Sequence, residues 1–173
     1  KEKIIYLDNI WNSHSGLNIE RKYNKLPSQN NKYFIFGSFN NYLKISDDTI
    51  FVWSEILKKI KNSKLILKSS LSYSEVHFKK LFEEEGVLNR VIFKNRSANF
   101  EEHINLYKDV DLCLDTFPYT GVTTTCEALW MNVPVISMEG YNFNSRCGES
   151  ILINSNLKHL VAKNKNDYIS MAI

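Results

Sequence analysis

From residue 33 onwards, short apolar runs alternate with longer segments in which apolar residues recur at helical spacing. Apolar runs of this length, bounded by turn residues, predict buried strands; they lie at residues 33–38, 64–69, 90–95, 111–116 and 134–138. Helices are predicted within residues 45–63, 72–86, 99–110, 123–132, 144–153 and 164–173. Residues 1–32 are rich in Asn, Ser and Lys and keep no sustained period, so we interpret them as a linker or arm ahead of one domain, 33–173.

The predicted strands are apolar throughout, which is typical of strands that are covered on both faces. Their regular alternation with helices predicts an α/β fold with a doubly wound, mostly parallel, Rossmann-like sheet. In such sheets, ligands bind at the carboxyl ends of the strands. We therefore expect functional residues in the loops that follow residues 38, 69, 95, 116 and 138.

Composition narrows the class of protein. The chain has 173 residues, of which 43% are hydrophobic, and a formal net charge of +3. This suits one globular domain and argues against a nucleic-acid-binding protein, whose basic residues would be denser and clustered. No apolar run reaches the roughly 18 residues of a membrane-spanning helix, and no signal peptide opens the chain. The three cysteines form no CxxC pair, so we expect reduced thiols in a cytoplasmic protein with neither membrane nor nucleic acid as a partner.

The loop after the fourth predicted strand has the most specific candidate chemistry. DTFPYTGVTTTCEALW (115–130) places a Pro, a Gly and three threonines where a strand turns into a helix. Threonines suit a helix N-terminus, where hydroxyls and backbone N–H groups without a helical partner can bind phosphate. Glu127, one turn into the helix, has a carboxylate of the kind that binds ribose hydroxyls in other doubly wound folds. The alternative is a Thr-capped helix without a ligand.

The loop after the first predicted strand, FGSFNNYLK (36–44), offers a positive charge in Lys44 and amides in Asn40 and Asn41. A lysine at this place can stabilise a departing phosphate, as glycosyl transfer from a nucleotide sugar requires. The alternative is a solvated surface lysine.

The loop after the third predicted strand, NRSANFEEH (95–103), offers backbone groups at Ser97 and Ala98 that could bind a base edge. His103 could pack on a base or a ribose, or be an ordinary surface or core histidine.

Other common site motifs are missing from the sequence. The four histidines show no paired metal-ligand spacing, so we expect no metal. Neither GxGxxG nor GxxxxGK[ST] occurs, which argues against a dinucleotide oxidoreductase and against a P-loop NTPase.

These loops together resemble a known family. FGSFNNYLKI, DTFPYTGVTTTCEALWMNVPVISM and SRCGESIL, in this order, are similar to the C-terminal catalytic lobe of the O-GlcNAc transferase and SPINDLY family. The resemblance covers roughly residues 33–173. It implies a GT-B glycosyltransferase, inverting and metal-independent, that transfers a sugar from a nucleotide donor to Ser or Thr of proteins. It implies no cofactor beyond that donor substrate.

The resemblance also implies roles for individual residues. Lys44 matches the lysine that contacts the diphosphate and supports its departure, which makes it the candidate catalytic residue, and Asn41 matches a neighbouring amide position. His103 matches the histidine beside the base, and Glu127 matches the acid that holds the ribose. The phosphate-binding helix start is matched by Gly121, Val122, Thr123, Thr124 and Thr125.

The sequence differs from O-GlcNAc transferases at two places. Val122 stands where those enzymes have a histidine, and the stretch 93–103 is one residue longer. Asn41 and the segment TTTCE favour the SPINDLY branch, of which some members use GDP-fucose. The donor is therefore either UDP-GlcNAc or GDP-fucose.

The N-terminal lobe and the tetratricopeptide repeats of that family are not in this sequence. The chain begins at Lys1 rather than Met and stops inside a predicted helix, so we expect a piece of a longer protein whose N-terminal repeats bind a protein acceptor. The chain alone should bind nucleotide weakly at most and should not turn over. Two alternatives stay open: a GT-B enzyme for a glycan or small acceptor, and a catalytically retired nucleotide-binding module.

Overall fold

A parallel sheet forms the centre of the structure, a computed structural model that describes residues 3, 10–18, 26–30, 32–68 and 72–173. The strands are β1 Phe34–Ser38, β2 Ser63–Lys68, β3 Val91–Lys94, β4 Leu112–Leu114, β5 Val135–Met138 and β6 Val161–Ala162. Their order is β3-β2-β1-β4-β5-β6, and every neighbouring pair is parallel. The α-helices are α1 Pro27–Asn30, α2 Asp47–Lys59, α3 Ser72–Glu84, α4 Phe100–Asn105, α5 Thr123–Trp130, α6 Phe143–Asn154 and α7 Lys165–Ala172. The predicted α/β, doubly wound, Rossmann-like fold is confirmed.

Successive residues of a strand point to opposite faces, and both faces of this sheet are buried. Phe36 and Leu65 belong to the cluster on one face, together with Trp53 of α2. Ile35 and Ile66 belong to the other cluster, together with residues of α4 and α5. This two-sided burial is the reason that the strand sequences are mostly apolar.

Helix ends follow local signals in the sequence. Ser46 caps α2, since its side chain accepts a hydrogen bond from the Thr49 N–H group, and two acidic residues occupy the first turn. Gly86 takes a positive φ of 71° just after α3, where the Val87 N–H group donates to the Phe82 carbonyl at 2.9 Å. The helix predicted within residues 72–86 thus ends at a glycine, which takes the left-handed conformation of such a helix end without strain.

Several elements differ from the prediction. Helix α1, Pro27–Asn30, lies within the segment 1–32 that was predicted to be a linker or arm. The helix predicted over 99–110 is α-helical only to Asn105 and continues as a 3-10 helix, Leu106–Asp109, because the chain tightens before it enters the buried start of β4. Strand β6 was not predicted, because a strand of two residues is too short to show a period.

Parts of the predicted arm lie against the domain. The Trp11 and Phe143 rings meet edge to face at 4.8 Å, and the Ser28 N–H group donates to Asp111 at 2.9 Å. Residues 1–2, 4–9, 19–25 and 31 of the predicted arm lie outside the described residues, as do Ser69 and the loop after the second strand. The boundary between residues 32 and 33 therefore stays a prediction.

The order of the strands places a topological switch point between β1 and β4. From β1 the chain builds the sheet in one direction through β2 and β3, and then returns to extend it from β4 to β6. Ligands of open α/β sheets bind in the crevice at such a point, outside the carboxyl ends of the strands.

Candidate functional site

A buried carboxylate lies at the switch point. Asp115 follows β4 and is 2% exposed. Its Oδ1 accepts hydrogen bonds from the N–H groups of Thr116 at 2.9 Å and Gly121 at 2.7 Å, and from the Asn40 amide at 3.2 Å. Its Oδ2 accepts from the Ser137 hydroxyl at 2.7 Å. Asp115 thus joins the loops after β1 and β4 to strand β5.

Burial raises the pKa of Asp115, while its hydrogen bonds to Ser137, Gly121 and Thr116 and the charge of Lys44 oppose that rise. Four donors around one carboxyl group stabilise its ionised form.

Helix α5 begins without a side-chain cap. Side chains cap the helices α2, α4, α6 and α7, namely Ser46, Asn99, Asn142 and Asn164. At α5 the capping position is Val122, which has no side-chain acceptor. The N–H groups of the first turn of a helix have no partner within it. The start of α5 therefore has backbone N–H groups, and the positive end of the helix dipole, available to an anion.

The threonines at this helix start differ in exposure. Thr123 is exposed, Thr124 is half-buried and Thr125 is buried. The Thr124 hydroxyl donates to the Asn40 amide oxygen at 2.8 Å, which ties α5 to the loop after β1. Only part of the threonine set thus faces outward, and the rest stabilises the site.

Lys44 reaches the same loop from the other side. It ends a 3-10 helix, Tyr42–Lys44, that follows β1. Its Nζ donates to the Thr120 carbonyl at 3.0 Å and lies 4.2 Å from the centroid of the Tyr119 ring. Burial lowers the pKa of Lys44, and Asp115 and Cys147 oppose that lowering. A half-buried ammonium group therefore lies beside the loop that leads into α5.

The two asparagines after β1 have different places. Asn40 is buried and bonded to Asp115 and Thr124, so it holds the site together. Asn41 is exposed, and its side-chain oxygen accepts from the Leu43 N–H group at 3.0 Å. Of the pair, the structure joins Asn40 and not Asn41 to the cluster around Asp115.

Glu127 and His103, separated in sequence, meet in the structure. Glu127 is 4% exposed, and its Oε2 lies 2.9 Å from His103 Nε2 and 3.2 Å from the Tyr107 hydroxyl. Among the described residues no hydrogen-bond donor contacts the other oxygen, Oε1. Glu127 thus keeps one acceptor for a ligand hydroxyl.

The loop after β3 is only partly available to a ligand. The Ala98 N–H group donates to the Glu102 carboxylate at 2.9 Å, whereas Ser97 is half-buried. Phe100 is 50% exposed, and its ring centroid lies 6.2 Å from that of His103. This loop therefore brings an exposed ring, rather than a free Ala98 N–H group, to the site.

Sequence reasoning missed three residues of this site: Asp115, Tyr107 and Lys68, whose Nζ lies 2.5 Å from His103 Nδ1. It named Asn40 as the source of an amide but not as a partner of Asp115. An acid directly after a buried strand was the available signal for Asp115. No local pattern marks Lys68 or Tyr107, because their partners lie far away in the sequence.

The sequence predicts no metal, no membrane-spanning helix and reduced cysteines. In the described ranges no group of three or more His, Cys, Asp and Glu could hold a metal ion. None of the helices described is long and apolar enough to cross a membrane. The three cysteines are free; Cys113 and Cys147 are buried and Cys126 is half-buried. Metal independence and a cytoplasmic location stay predictions.

Comparison with known proteins shows the family of the chain. The model of glycosyl transferase family 41 matches residues 13–173. The chain belongs to glycosyl transferase family 41.

Similar proteins agree with membership of family 41. A probable UDP-N-acetylglucosamine–peptide N-acetylglucosaminyltransferase SPINDLY from Eustoma exaltatum subsp. russellianum is 40% identical over 151 residues, 85% of this chain and 16% of that protein. A UDP-N-acetylglucosamine–peptide N-acetylglucosaminyltransferase from Caenorhabditis elegans is 34% identical, over 80% of this chain and 12% of that protein. The chain thus spans less than a fifth of the length of these relatives.

A solved structure of an O-GlcNAc transferase mutant from Thermobaculum terrenum superposes with a TM-score of 0.78 at 30% identity, covering 82% of this chain and 28% of that one. The sheet is therefore the Rossmann-like lobe of a GT-B glycosyltransferase, and the predicted family is confirmed.

Proposed function

We propose that this chain is the donor-binding half of a glycosyltransferase that is inverting and metal-independent and transfers a sugar to Ser or Thr of proteins. The donor diphosphate lies at the start of α5, beside Lys44. The nucleoside lies toward Glu127 and His103. Lys44 is the catalytic residue, since its ammonium group stabilises the negative charge that develops as the nucleotide leaves.

One observation carries this proposal: an uncapped helix start and a half-buried ammonium group flank the same short loop. Val122 gives α5 no side-chain cap, and Lys44 Nζ lies 3.0 Å from the Thr120 carbonyl two residues earlier. Both features attract an anion.

The nucleoside side of the site is polar at one end and aromatic at the other. Glu127 has a free acceptor oxygen for a ribose hydroxyl, and Phe100 has an exposed ring on which a base can stack. We expect Ser97 and Ala98 to contact the base through the backbone carbonyls, because the Ala98 N–H group is occupied.

The donor is UDP-GlcNAc or GDP-fucose. The curated relatives are named for UDP-N-acetylglucosamine as donor and peptide as acceptor, which favours the first donor and a protein acceptor. GDP-fucose stays the alternative, because Asn41 and the TTTCE segment resemble the SPINDLY branch.

Two other functions remain candidates. A glycan or small molecule could be the acceptor, since the acceptor-binding parts of the relatives are outside this chain. A catalytically retired nucleotide-binding module would keep the fold without transfer. Lys44 favours the active enzyme, because nucleotide binding alone can rely on the helix start.

Calorimetric titration of the chain with UDP and GDP tests the proposal. Binding of one nucleotide identifies the base of the donor. Lys44→Ala should weaken that binding by roughly 1.5–3 kcal/mol, the contribution of a hydrogen bond to a charged group.

Lys80→Ala is the matched control, because Lys80 is exposed on α3 and, among the described residues, forms an ion pair with Glu84 alone, at 3.8 Å. Equal loss of affinity in both variants would contradict a specific role for Lys44. If neither nucleotide binds to the chain or to the full-length protein, the donor site is retired.

A further inference from the structure

Lys68 is a buried lysine to which the proposed function assigns no role. It is the last residue of β2, at the carboxyl edge of the sheet, and is only 9% exposed. A lysine so deeply buried usually has a specific partner. Here the partner is a histidine ring, because Lys68 Nζ lies 2.5 Å from Nδ1 of His103.

The chemistry of this contact determines the tautomer of His103. A lysine ammonium group has three donors and no acceptor. Nδ1 of His103 must therefore accept, and the ring hydrogen lies on Nε2. Nε2 faces the Glu127 carboxylate at 2.9 Å, to which it donates.

The three side chains form a chain of charge-assisted hydrogen bonds from Lys68 through His103 to Glu127. Burial lowers the pKa of Lys68, the charge of Glu127 raises it and that of Arg96 lowers it. The attraction between Lys68 and Glu127 therefore acts across the His103 ring, which holds both ends of the chain in place.

The orientation of Glu127 follows from this chain. Its Oε2 is occupied by His103 and by the Tyr107 hydroxyl, which leaves Oε1 for a ligand. Without the contact to Lys68, the ring of His103 could place its hydrogen on Nδ1. Nε2 would then become an acceptor facing a carboxylate, and Glu127 would be pushed away.

We propose that Lys68 is a positioning residue for the nucleoside half of the donor: it fixes His103 as the Nε2–H tautomer and thereby aligns Glu127 with a ribose hydroxyl. This inference rests on the proposed function. It adds a residue that touches neither diphosphate nor sugar, and whose effect is confined to the nucleoside.

Nitrogen-15 NMR of the histidine side chains tests the tautomer without any ligand. The unaltered chain should show the Nε2–H pattern for His103, and Lys68→Met should lose it. Lys94→Met is the matched control, because Lys94 ends the neighbouring strand opposite Lys68 and is exposed. An Nδ1–H pattern in the unaltered chain, or an unchanged pattern in Lys68→Met, would overturn the proposal.

Titration with two probes tests the effect on binding. Lys68→Met should weaken binding of UDP or GDP about tenfold, which corresponds to about 1.4 kcal/mol. It should leave binding of inorganic pyrophosphate unchanged, since that probe lacks a nucleoside. Lys68→Arg, which keeps a cationic donor, should restore nucleotide binding at least in part.

The outcomes separate this inference from the proposed function. Equal weakening for pyrophosphate and nucleotide would show a general structural role and overturn the positioning role, and so would unchanged nucleotide binding. Thermal unfolding of each variant shows whether the variant has lost its fold. If Lys68→Met has, the nitrogen-15 spectrum of the unaltered chain is the remaining test, and an Nδ1–H pattern for His103 in it would overturn the proposal. Lack of nucleotide binding by the unaltered protein would instead contradict the proposed function.

Discussion

Asp115 is the residue on which the geometry of the site depends most. Its four hydrogen bonds come from residues that lie 1, 6, 22 and 75 positions away in sequence. A carboxylate suits this place because it accepts at both oxygens and donates at neither. A side chain with a hydrogen-bond donor at position 115 would face one of the four donors that now bind Asp115.

We expect Asp115→Asn to lower the free energy of unfolding by roughly 1.5–3 kcal/mol, because the new NH₂ group faces a donor and a charged acceptor is lost. Urea denaturation measures this. Asp109→Asn is the control, since Asp109 is exposed at the end of the 3-10 helix that follows α4. A loss for Asp115→Asn no larger than that of the control would contradict the role of Asp115.

Lys44 makes nucleotide binding sensitive to alkaline pH. Burial lowers the pKa of Lys44, so its ammonium group loses its proton at lower pH than an ordinary lysine. A bound diphosphate favours the charged form. Affinity for UDP or GDP should therefore be constant below the pKa of Lys44 in the free protein and fall as pH rises through it, by up to about tenfold per pH unit.

Titrations across the alkaline range measure this dependence. Lys44→Met should bind more weakly at neutral pH and should lose the alkaline decline. A decline of the same size in Lys44→Met would assign it to another group.

At the scale of elements, α6 packs unusually close to the site. The Gly148 N–H group donates to the Thr120 hydroxyl at 3.0 Å, so this helix holds the loop that Lys44 contacts. A Cβ atom on Gly148 would overlap the Ser137 hydroxyl and lie 2.5 Å from Asp115 Oδ2. Gly148 is therefore the point that lets α6 approach β5 and the buried carboxylate.

Gly148→Ala should destabilise the protein by about 1–3 kcal/mol through overpacking, although alanine favours a helix. Ser150→Ala on the same helix is the control for helix propensity, and urea denaturation compares the two. An increase in stability for Gly148→Ala would show that α6 can shift without cost.

At the scale of the whole molecule, the chain corresponds to one lobe of its longer relatives. The chain covers only 16% of the SPINDLY protein from Eustoma and 12% of the relative from Caenorhabditis elegans. In a GT-B enzyme the acceptor and part of the catalytic centre belong to the other lobe, as the family resemblance implies. Donor binding and sugar transfer should therefore separate.

We expect the full-length protein to transfer sugar to a peptide, and the 173-residue chain to bind nucleotide without transfer. A radiolabelled-donor assay with UDP-GlcNAc and with GDP-fucose measures both. Transfer by the chain alone would contradict the division of function between the two lobes.

Local patterns in the sequence determined most of the elements. Apolar runs and helical periods predicted five strands and the helices between them, in their succession along the chain. They could do so because burial on both faces of a sheet requires apolar residues within each short strand. Gly86 and Ser46 marked helix ends, since capping depends on neighbours within four residues. The loops at the carboxyl ends of the strands indicated Lys44, Glu127 and His103 as candidates, and the family resemblance implied their roles.

Only the tertiary structure decided how these residues meet. The partner of Lys68 is His103, 35 residues away, and the Asn40 amide reaches Asp115 across 75 residues. Such contacts depend on the order of strands in the sheet, which no local period encodes. The sequence by itself thus determined which elements form and which side chains could bind a donor. The crossing of the chain between β1 and β4 decided that Asn40, rather than Asn41, joins the cluster and that Glu127 keeps one oxygen free.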